Sequence, residues 1–510
     1  MQSYLSRHSE RYRKKSVICQ EQRPWFTWAV FSTALFFAHF ISVFPIKDGG
    51  YSAQRLVLCI FLVFYTCTGI YRSWCVREGG SRSWPDVMVL FFAISGFVIT
   101  PVFYSAQFKW VEPIMFSLYF SSVILGASNY IKRSSIVCVV SGFSAITVVF
   151  AFFYGGMTLN YYSFALVDRS FDIEGLLPWG FINMRYWSHM ATWLLPLFPL
   201  ALITVSFRSV LSWRLLVYFA GSLWVWLIIM STARGSFLGL LVGVSVAMLL
   251  FGKSARPWLR AYLTLWLVGL LMWFLLSILL PSLVFGELEI RSVRSGDSGR
   301  IPLWGEALSM SLDRFPWGMG PQSWITHDII TSAYHDSRRY GHPHNMYLMW
   351  AAEYGWVSIL GLAILGWLGG RRLLLRRNAL SNHHEDDEKS VLVALTVSVV
   401  AGIFHAGVSA VFMAPASMLV GLFILMAFWG ALQPNGRGAA CPVAVRPVQF
   451  ICVLTLLTVC AISVLWIREI YFYHRAMSND QAYYYEHVPL GLLPRFWHHG
   501  NFPRHPELMP

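Results

Sequence analysis

The chain has 510 residues, 56% of them hydrophobic and only 13% charged, whereas soluble domains carry roughly 25% charged residues. Long apolar stretches recur from end to end, which excludes a soluble globular enzyme and leaves an all-α polytopic membrane protein. A β-barrel would show short alternating segments instead, and none is present. The net charge of +14 comes from basic residues that fall between hydrophobic stretches as topology signals, so no nucleic-acid partner is expected.

Residues 1–24 read as a basic cytoplasmic tail. The stretch MQSYLSRHSERYRKKSVICQEQRPW has no short apolar core followed by a small-residue cleavage site, so it precedes a signal-anchor helix rather than forming a cleaved signal peptide. A span needs about 20 apolar residues. Within a membrane domain 25–467, spans are expected near 25–45, 53–72, 85–105, 110–129, 135–155, 188–206, 211–230, 235–252, 259–281, 345–369, 391–412, 415–432 and 447–467. That gives thirteen, in a range of about 12–14 transmembrane helices. With the N-terminus inside, Arg72, Arg77, Arg82, Lys132, Arg133, Arg208, Arg214, Lys253, Arg256, Arg260, Arg371, Arg372, Arg376, Arg377, Arg437 and Arg446 all fall on the cytoplasmic side, as the positive-inside rule requires. Loops 156–187 and 282–344 and a C-terminal tail 468–510 then lie outside, the largest loop just before the tenth helix. Chemistry is therefore expected on the extracytoplasmic face. No cysteine falls in either outer loop, so no disulfide framework is expected there, and the chain has no CxxC metal site. The run NHHEDDEK (Asn382–Lys389) reads as a solvated cytoplasmic loop.

Against the positive-inside rule, arginines on the outer side are informative. INMRYWSHMATWLLPL enters the sixth span with Asn183, Arg185 and His189; an interfacial anchor and a functional group weigh about equally there. MSTARGSFLGL turns outside between the seventh and eighth spans, with Arg234 beside Ser231, Thr232 and Gly235. An arginine beside a helix N-terminus suits an anion, and a snorkelling anchor is the plainer role. SGDSGRIPLWGEALSMSLDRFPWGMGPQSW lies in the largest outer loop. Leu303, Trp304, Ala307, Leu308 and Ser311 repeat at helical spacing after Arg300, which predicts a helix on or dipping into the membrane surface before FPWGMGP breaks it. Arg291 and Arg294 stand nearby.

The stretch GHPHNMYLMWAAEYG opens the tenth span. His342 and His344 are two residues apart and cannot share a helix face, so they belong to the loop and the helix mouth, with Asn345 as a cap. Ala351, Gly355 and Ser358 are small and spaced for close helix packing. Glu353 is placed to pair with another helix. Neutral imidazole at His344 suits proton abstraction near neutral pH, and neighbouring arginines would keep it neutral. Two rivals stand beside this: a metal site built from His335, His342 and His344 with an acidic partner, and a plain cap-and-anchor role.

These residues carry a resemblance. STARG, SGRIPLWGEALSMSLDRFPWGMGP and HNMYLMWAAEYGWVS, in that order, resemble the O-antigen ligase and polymerase family, bacterial membrane glycosyltransferases with a GT-C-like helical fold. The similarity covers about 185–360. The family pattern has His-Asn, nine residues, a glycine, two residues and a second glycine. Here His344 and Asn345 are followed by nine residues and Gly355, and Ser358 stands at the second glycine. The resemblance implies transfer of a glycan from an undecaprenyl pyrophosphate carrier to an acceptor hydroxyl, in the bacterial inner membrane, without metal, cofactor or nucleotide sugar. It implies Arg234 and Arg300 as holders of the donor pyrophosphate and His344 as the base. Arg185, Asn345 and His342 complete the set of candidate substrate-binding residues.

The acceptor implied first is lipid A–core sugar in lipopolysaccharide synthesis. A growing glycan chain, as in a polymerase, or a protein hydroxyl, as in an oligosaccharyltransferase, would use the same chemistry. A transporter of lipid-linked glycans would instead keep ionisable groups near the bilayer midplane with repeat symmetry, and the candidate residues cluster at outer helix ends.

Overall fold

The structure, a computed structural model, describes residues 24–41, 44, 49–74, 84–105, 107–130, 135–168, 181, 184–286, 299–381, 386–433, 446–487 and 494–498. Asn183, Arg291, Arg294 and the tail 1–23 lie outside them. Among the described residues every regular element is helical, and the chain is an all-α polytopic membrane protein.

The first half runs through α1 (Trp25–Phe40), α2 (Gly49–Trp74), α3 (Trp84–Ile99), α4 (Val111–Tyr130) and α5 (Ile136–Val167). The last of these continues past residue 156, where a loop is expected, because no proline interrupts its apolar run before Asp168. The sixth expected span is not one helix. α6 (Met184–Leu194) gives way to a 3-10 turn, Leu195–Leu197, and a short α7 (Phe198–Ile203), since Pro196 and Pro199 lack the amide hydrogens a continuous helix needs. Then come α8 (Leu211–Met230), α9 (Arg234–Phe251) and α10 (Arg256–Phe274), the last joined by a π-helical turn to α11 (Leu280–Phe285). The outer loop holds α12 (Arg300–Asp313), α13 (Ser323–Thr326) and α14 (Ser332–His335). The chain closes with α15 (Met346–Ser381), α16 (Asp386–Ala406), α17 (Pro415–Ala431) and α18 (Arg446–His487).

Among the described residues, eight helical stretches are long and apolar enough to cross a membrane, one of them the continuous Arg234–Phe285, which takes in two expected spans. Trp25–Phe40, Val111–Ala127 and Pro415–Ala431 are apolar but shorter. α1, with 16 residues, is about 24 Å long against a hydrocarbon core of about 30 Å.

Composition decides which helices are central. α17 is apolar on nearly every side and is buried almost throughout, as such a helix must be; α1, α2, α4, α6 and α16 surround it. α16 packs along α9, where the backbone carbonyls of Ala401 and Val397 approach Gly239 and Gly243 so closely that a Cβ would meet them at 2.8 and 2.6 Å. Small residues permit that approach. The Arg234–Phe285 stretch and α18 are the least buried spans, at 11% and 17% of their apolar windows, and turn leucine-rich faces outward to lipid.

α12 departs from the expected surface helix. Leu303, Ala307 and Met310 form a small core with Trp324, Tyr334 and Ala352, so the helix packs on α15 and its own loop. Leu308, expected on the apolar face, is exposed, because the stripe runs through Leu303, Ala307 and Met310 instead.

Candidate functional site

The site is built around a break in α15. Gly355 has φ 82° and ψ 170°, which ends the helical hydrogen bonding after Tyr354 and restarts it beyond. The freed backbone groups find partners in the FPWGMGP loop. The Met319 amide donates to the Ala352 carbonyl at 2.7 Å, Gly320 to Glu353 at 3.0 Å, and Trp356 to Pro316 at 2.8 Å. The Thr100 hydroxyl donates to Tyr354 O at 3.3 Å. The loop approaches so closely that a Cβ on Gly318 would lie 2.7 Å from the Gly355 nitrogen. Ser358 sits against Gly96 of α3, so the residue that departs from the family pattern still serves close packing.

At the mouth of the same helix, Asn345 is a cap. Its Oδ1 accepts the amides of Tyr347 and Leu348, both at 3.0 Å. His344 is in the left-handed region at φ 55°, rare for a residue with a Cβ. Its amide donates to His342 Nδ1 at 3.2 Å, which makes that nitrogen the acceptor and leaves the proton of neutral His342 on Nε2. The two rings lie 4.5 Å apart at 83°, and Tyr340 stands 4.9 Å from His344.

The arginines frame this turn from two other elements. Arg300 is the first residue of α12 and half-buried; Arg185 is the second of α6 and exposed. Burial, then Arg300 and Arg185, push the His344 imidazole down to about 3. Burial holds His342 well below the usual histidine value, with His344, Arg495 and Arg300 acting in the same direction. Both histidines are therefore neutral at physiological pH.

Arg234 opens α9, half-buried, behind a turn with Thr232 at φ 46°. Its neighbour Gly235 lies directly against His405 of α16, where a Cβ would meet the ring at 2.8 Å. His405 stands 4.9 Å from His189, edge to face. His189 Nε2 lies 2.7 Å from the Ser409 hydroxyl. Thr192 Oγ1 donates to Ser188 O at 2.8 Å and lies 3.1 Å from His405 Nδ1. With its one proton so engaged, Thr192 accepts from His405 Nδ1–H, and the lone pair of His405 falls on Nε2, the ring edge facing Gly235. His405 is absent from the residues that sequence reasoning singles out. A histidine inside an apolar span is costly enough to have flagged it.

Glu353 does not pair with another helix's cation. It accepts from Arg495 of the C-terminal segment and from the Trp324 amide at 3.1 Å. His335 is exposed on α14, 3.1 Å from Asp336, and among the described residues no three His, Cys, Asp or Glu side chains group as metal ligands. Glu306 is a buried carboxylate that orders the outer loop. It accepts from His327 Nε2 at 2.9 Å, Ile330 N at 2.7 Å, Thr331 N at 2.8 Å and the Thr331 hydroxyl.

Residues 216–366 match the family model described as O-antigen ligase. The matched stretch holds Arg234, Arg300, His342, His344, Asn345 and the broken helix as far as Gly366, while Arg185, His189 and His405 lie outside it. Neither the curated proteins nor the solved structures give a match.

Proposed function

We propose, for a chain that carries an O-antigen ligase family domain over residues 216–366, that it moves a glycan from an undecaprenyl pyrophosphate carrier onto an acceptor hydroxyl, with lipid A–core sugar as the acceptor. The observation that carries this reading is the neutral His344, held in a strained turn with the Arg300 and Arg185 charges acting on it. A neutral imidazole takes the proton of the acceptor hydroxyl as that oxygen bonds to the sugar's anomeric carbon. The bond from that carbon to the pyrophosphate oxygen breaks, and the electron pair leaves with undecaprenyl pyrophosphate.

Arginine suits this leaving group. Its planar guanidinium grips phosphate oxygens in pairs and stays charged, so Arg300 and Arg234 stabilise the negative charge that grows in the transition state. Arg185 extends the same positive field. His342 orients the His344 turn through its backbone amide. Asn345 holds the helix end that fixes the turn. In this reading the domain 25–467 lies in the bacterial inner membrane, with residues 1–24 inside and the loops 156–187 and 282–344 and the tail 468–510 on the periplasmic side. The chemistry needs neither a metal nor a nucleotide sugar.

The test is complementation of a deletion strain with wild type or His344→Ala at matched protein level, with glycolipids resolved on a gel. Ligase activity predicts that His344→Ala leaves long chains on the undecaprenyl carrier and none on lipid A–core. Single repeat units without long chains would replace the acceptor with a growing glycan and make the protein a polymerase. A wild-type pattern from His344→Ala would overturn the catalytic role.

A further inference from the structure

The C-terminal segment 494–498 lies well inside the protein. Arg495, Phe496 and Trp497 are fully buried. Arg495 donates from Nε and Nη2 to Glu112 of α4, at 3.2 and 2.6 Å, and from Nη1 and Nη2 to Glu353 of α15, both at 2.9 Å. A second buried arginine, Arg55 of α2, holds the segment's backbone: its Nε donates to Phe496 O at 2.9 Å and its Nη2 to Arg495 O at 3.1 Å. Tyr51 donates to the same Arg495 carbonyl at 2.6 Å. The two arginines and two glutamates balance in charge, and each is satisfied, which is the condition for ions so deep in a protein.

The consequence for the site comes from Gly355. Because the helix is broken there, Met346–Tyr354 does not inherit its position from the long helix that follows. Its inner end is set by what holds Ala352 and Glu353, while its outer end carries Asn345 and the His344 turn. Trp350 packs in an aromatic cluster with Phe97, Phe116 and Phe412, but apolar contacts fix axial position and rotation less sharply than a bidentate ion pair. Glu353 thus makes the charged tie of this short helix to the rest of the bundle, through a residue far away in sequence, beside the weaker tie of the Tyr347 hydroxyl to Ile403 O at 2.8 Å.

We infer that the C-terminal segment is a latch, with Arg495 a positioning residue that sets His344 through Glu353. The transfer step it positions is the one proposed above, and the latch itself can be tested apart from that step. A merely structural ion cluster treats its two carboxylates alike. A latch does not, because Glu353 lies on the short helix that carries the histidine turn, whereas Glu112 reaches that helix only through the Tyr354 hydroxyl at 3.5 Å.

The experiment compares Glu353→Gln with Glu112→Gln in the full chain, purified in lipid nanodiscs. Each variant removes one buried negative charge and leaves Arg495 one carboxylate. Amide hydrogen exchange is read over 341–350, and glycan transfer is resolved into kcat and KM. The latch predicts faster exchange over 341–350 and a drop in kcat of about tenfold or more in Glu353→Gln, the scale expected when a reacting group is misplaced, with KM for the donor little changed. Glu112→Gln, whose carboxylate meets the short helix only through the Tyr354 hydroxyl, should show much the smaller change in both. Arg495→Lys, which keeps the charge but not the paired geometry, should fall between. Equal effects of the two glutamate variants, or exchange over 341–350 unchanged in both, would overturn the latch. Should Glu353→Gln fail to fold, Glu353→Asp keeps the charge while lengthening the link, and the same comparison applies. The exchange readout does not depend on the reaction, so a fully active His344→Ala would remove the catalytic role of His344 without touching the coupling of Glu353 to the turn.

Discussion

His342 Nδ1 accepts the amide hydrogen of His344 at 3.2 Å, so one histidine holds the backbone of the other in a left-handed turn. That conformation costs about 1–3 kcal/mol for a residue with a Cβ, and the hydrogen bond offsets part of it. Removing the acceptor should relax the turn and move the imidazole. His342→Ala is expected to lower transfer between about tenfold and a hundredfold, the range for sub-ångström to ångström misplacement of a reacting group. Asparagine carries its oxygen near the position of a histidine Nδ1, so His342→Asn should retain much more. Initial rates at matched protein level check this, and equal rates for the two variants would count against it.

The second prediction concerns pH. A histidine base at its ordinary value of 6.5 loses its lone pair on mild acidification. Burial first, then Arg300 and Arg185, hold His344 at about 3, so the base stays neutral through that range. The profile of kcat/KM should show no histidine limb near 6.5. Arg300→Gln removes one of the causes, and its acid limb should move upward toward 6.5, apart from any loss of absolute rate. The sign for stability follows: the unfolded chain binds the extra proton between about 6.5 and about 3, so this group's contribution is complete above 6.5 and drains as pH falls through that window. A wild-type limb at 6.5 that Arg300→Gln leaves in place would refute the placement of the charge.

Gly355 supports the third. Its φ of 82° and ψ of 170° lie where only glycine sits without strain, a cost of about 1–3 kcal/mol for other residues. A Cβ there would also run into the Pro316 carbonyl and the Trp317 backbone. Gly355→Ala should lower the thermal midpoint in detergent and abolish transfer, because the docked loop must move. Ser358→Ala is the contrasting case. The serine hydroxyl donates across the break to the Tyr354 carbonyl at 3.1 Å, which keeps the Thr100 hydroxyl as a second donor, and alanine is the better helix former, so the stability should change by less than about 1 kcal/mol.

The order of apolar runs and turns makes the helices legible in the sequence, and Asn345 and the glycine-rich loop carry enough local chemistry to be read as cap and turn, whereas Gly355 reads only as a small packing residue and its break shows in the backbone alone. What was not legible depends on contacts between distant segments. Arg495 reads as part of a basic tail until Glu112 and Glu353 are seen beside it. Glu306 reads as the wet face of an amphipathic helix, since nothing local says that the chain returns with the amides of Ile330 and Thr331. His405 stands out as a histidine in an apolar run, but its surroundings do not, because its partners, Thr192 and His189, come from a proline-broken segment whose course the hydropathy pattern cannot give.

Glu306 supplies the last prediction. Burial pushes its carboxyl up, but the hydrogen bonds from Ile330, Thr331 and His327 outweigh burial and hold it below the ordinary glutamate value of 4.5. The ionised group is therefore bound more favourably in the folded loop than in the unfolded chain. Its contribution is present above about pH 4.5 and is lost as the pH falls on through the lower folded value. Glu306→Gln places an amide where the Thr331 amide and hydroxyl both donate, leaving at least one of them unsatisfied at a cost of about 1–3 kcal/mol. Limited proteolysis of the outer loop at neutral pH should be faster in Glu306→Gln than in wild type. On acidification below 4.5 the wild-type rate should climb toward that of the variant, whose own rate lacks this carboxylate's titration. Parallel curves for the two proteins across that range would mean that the loop is held by its apolar core of Leu303, Met310 and Trp324 alone.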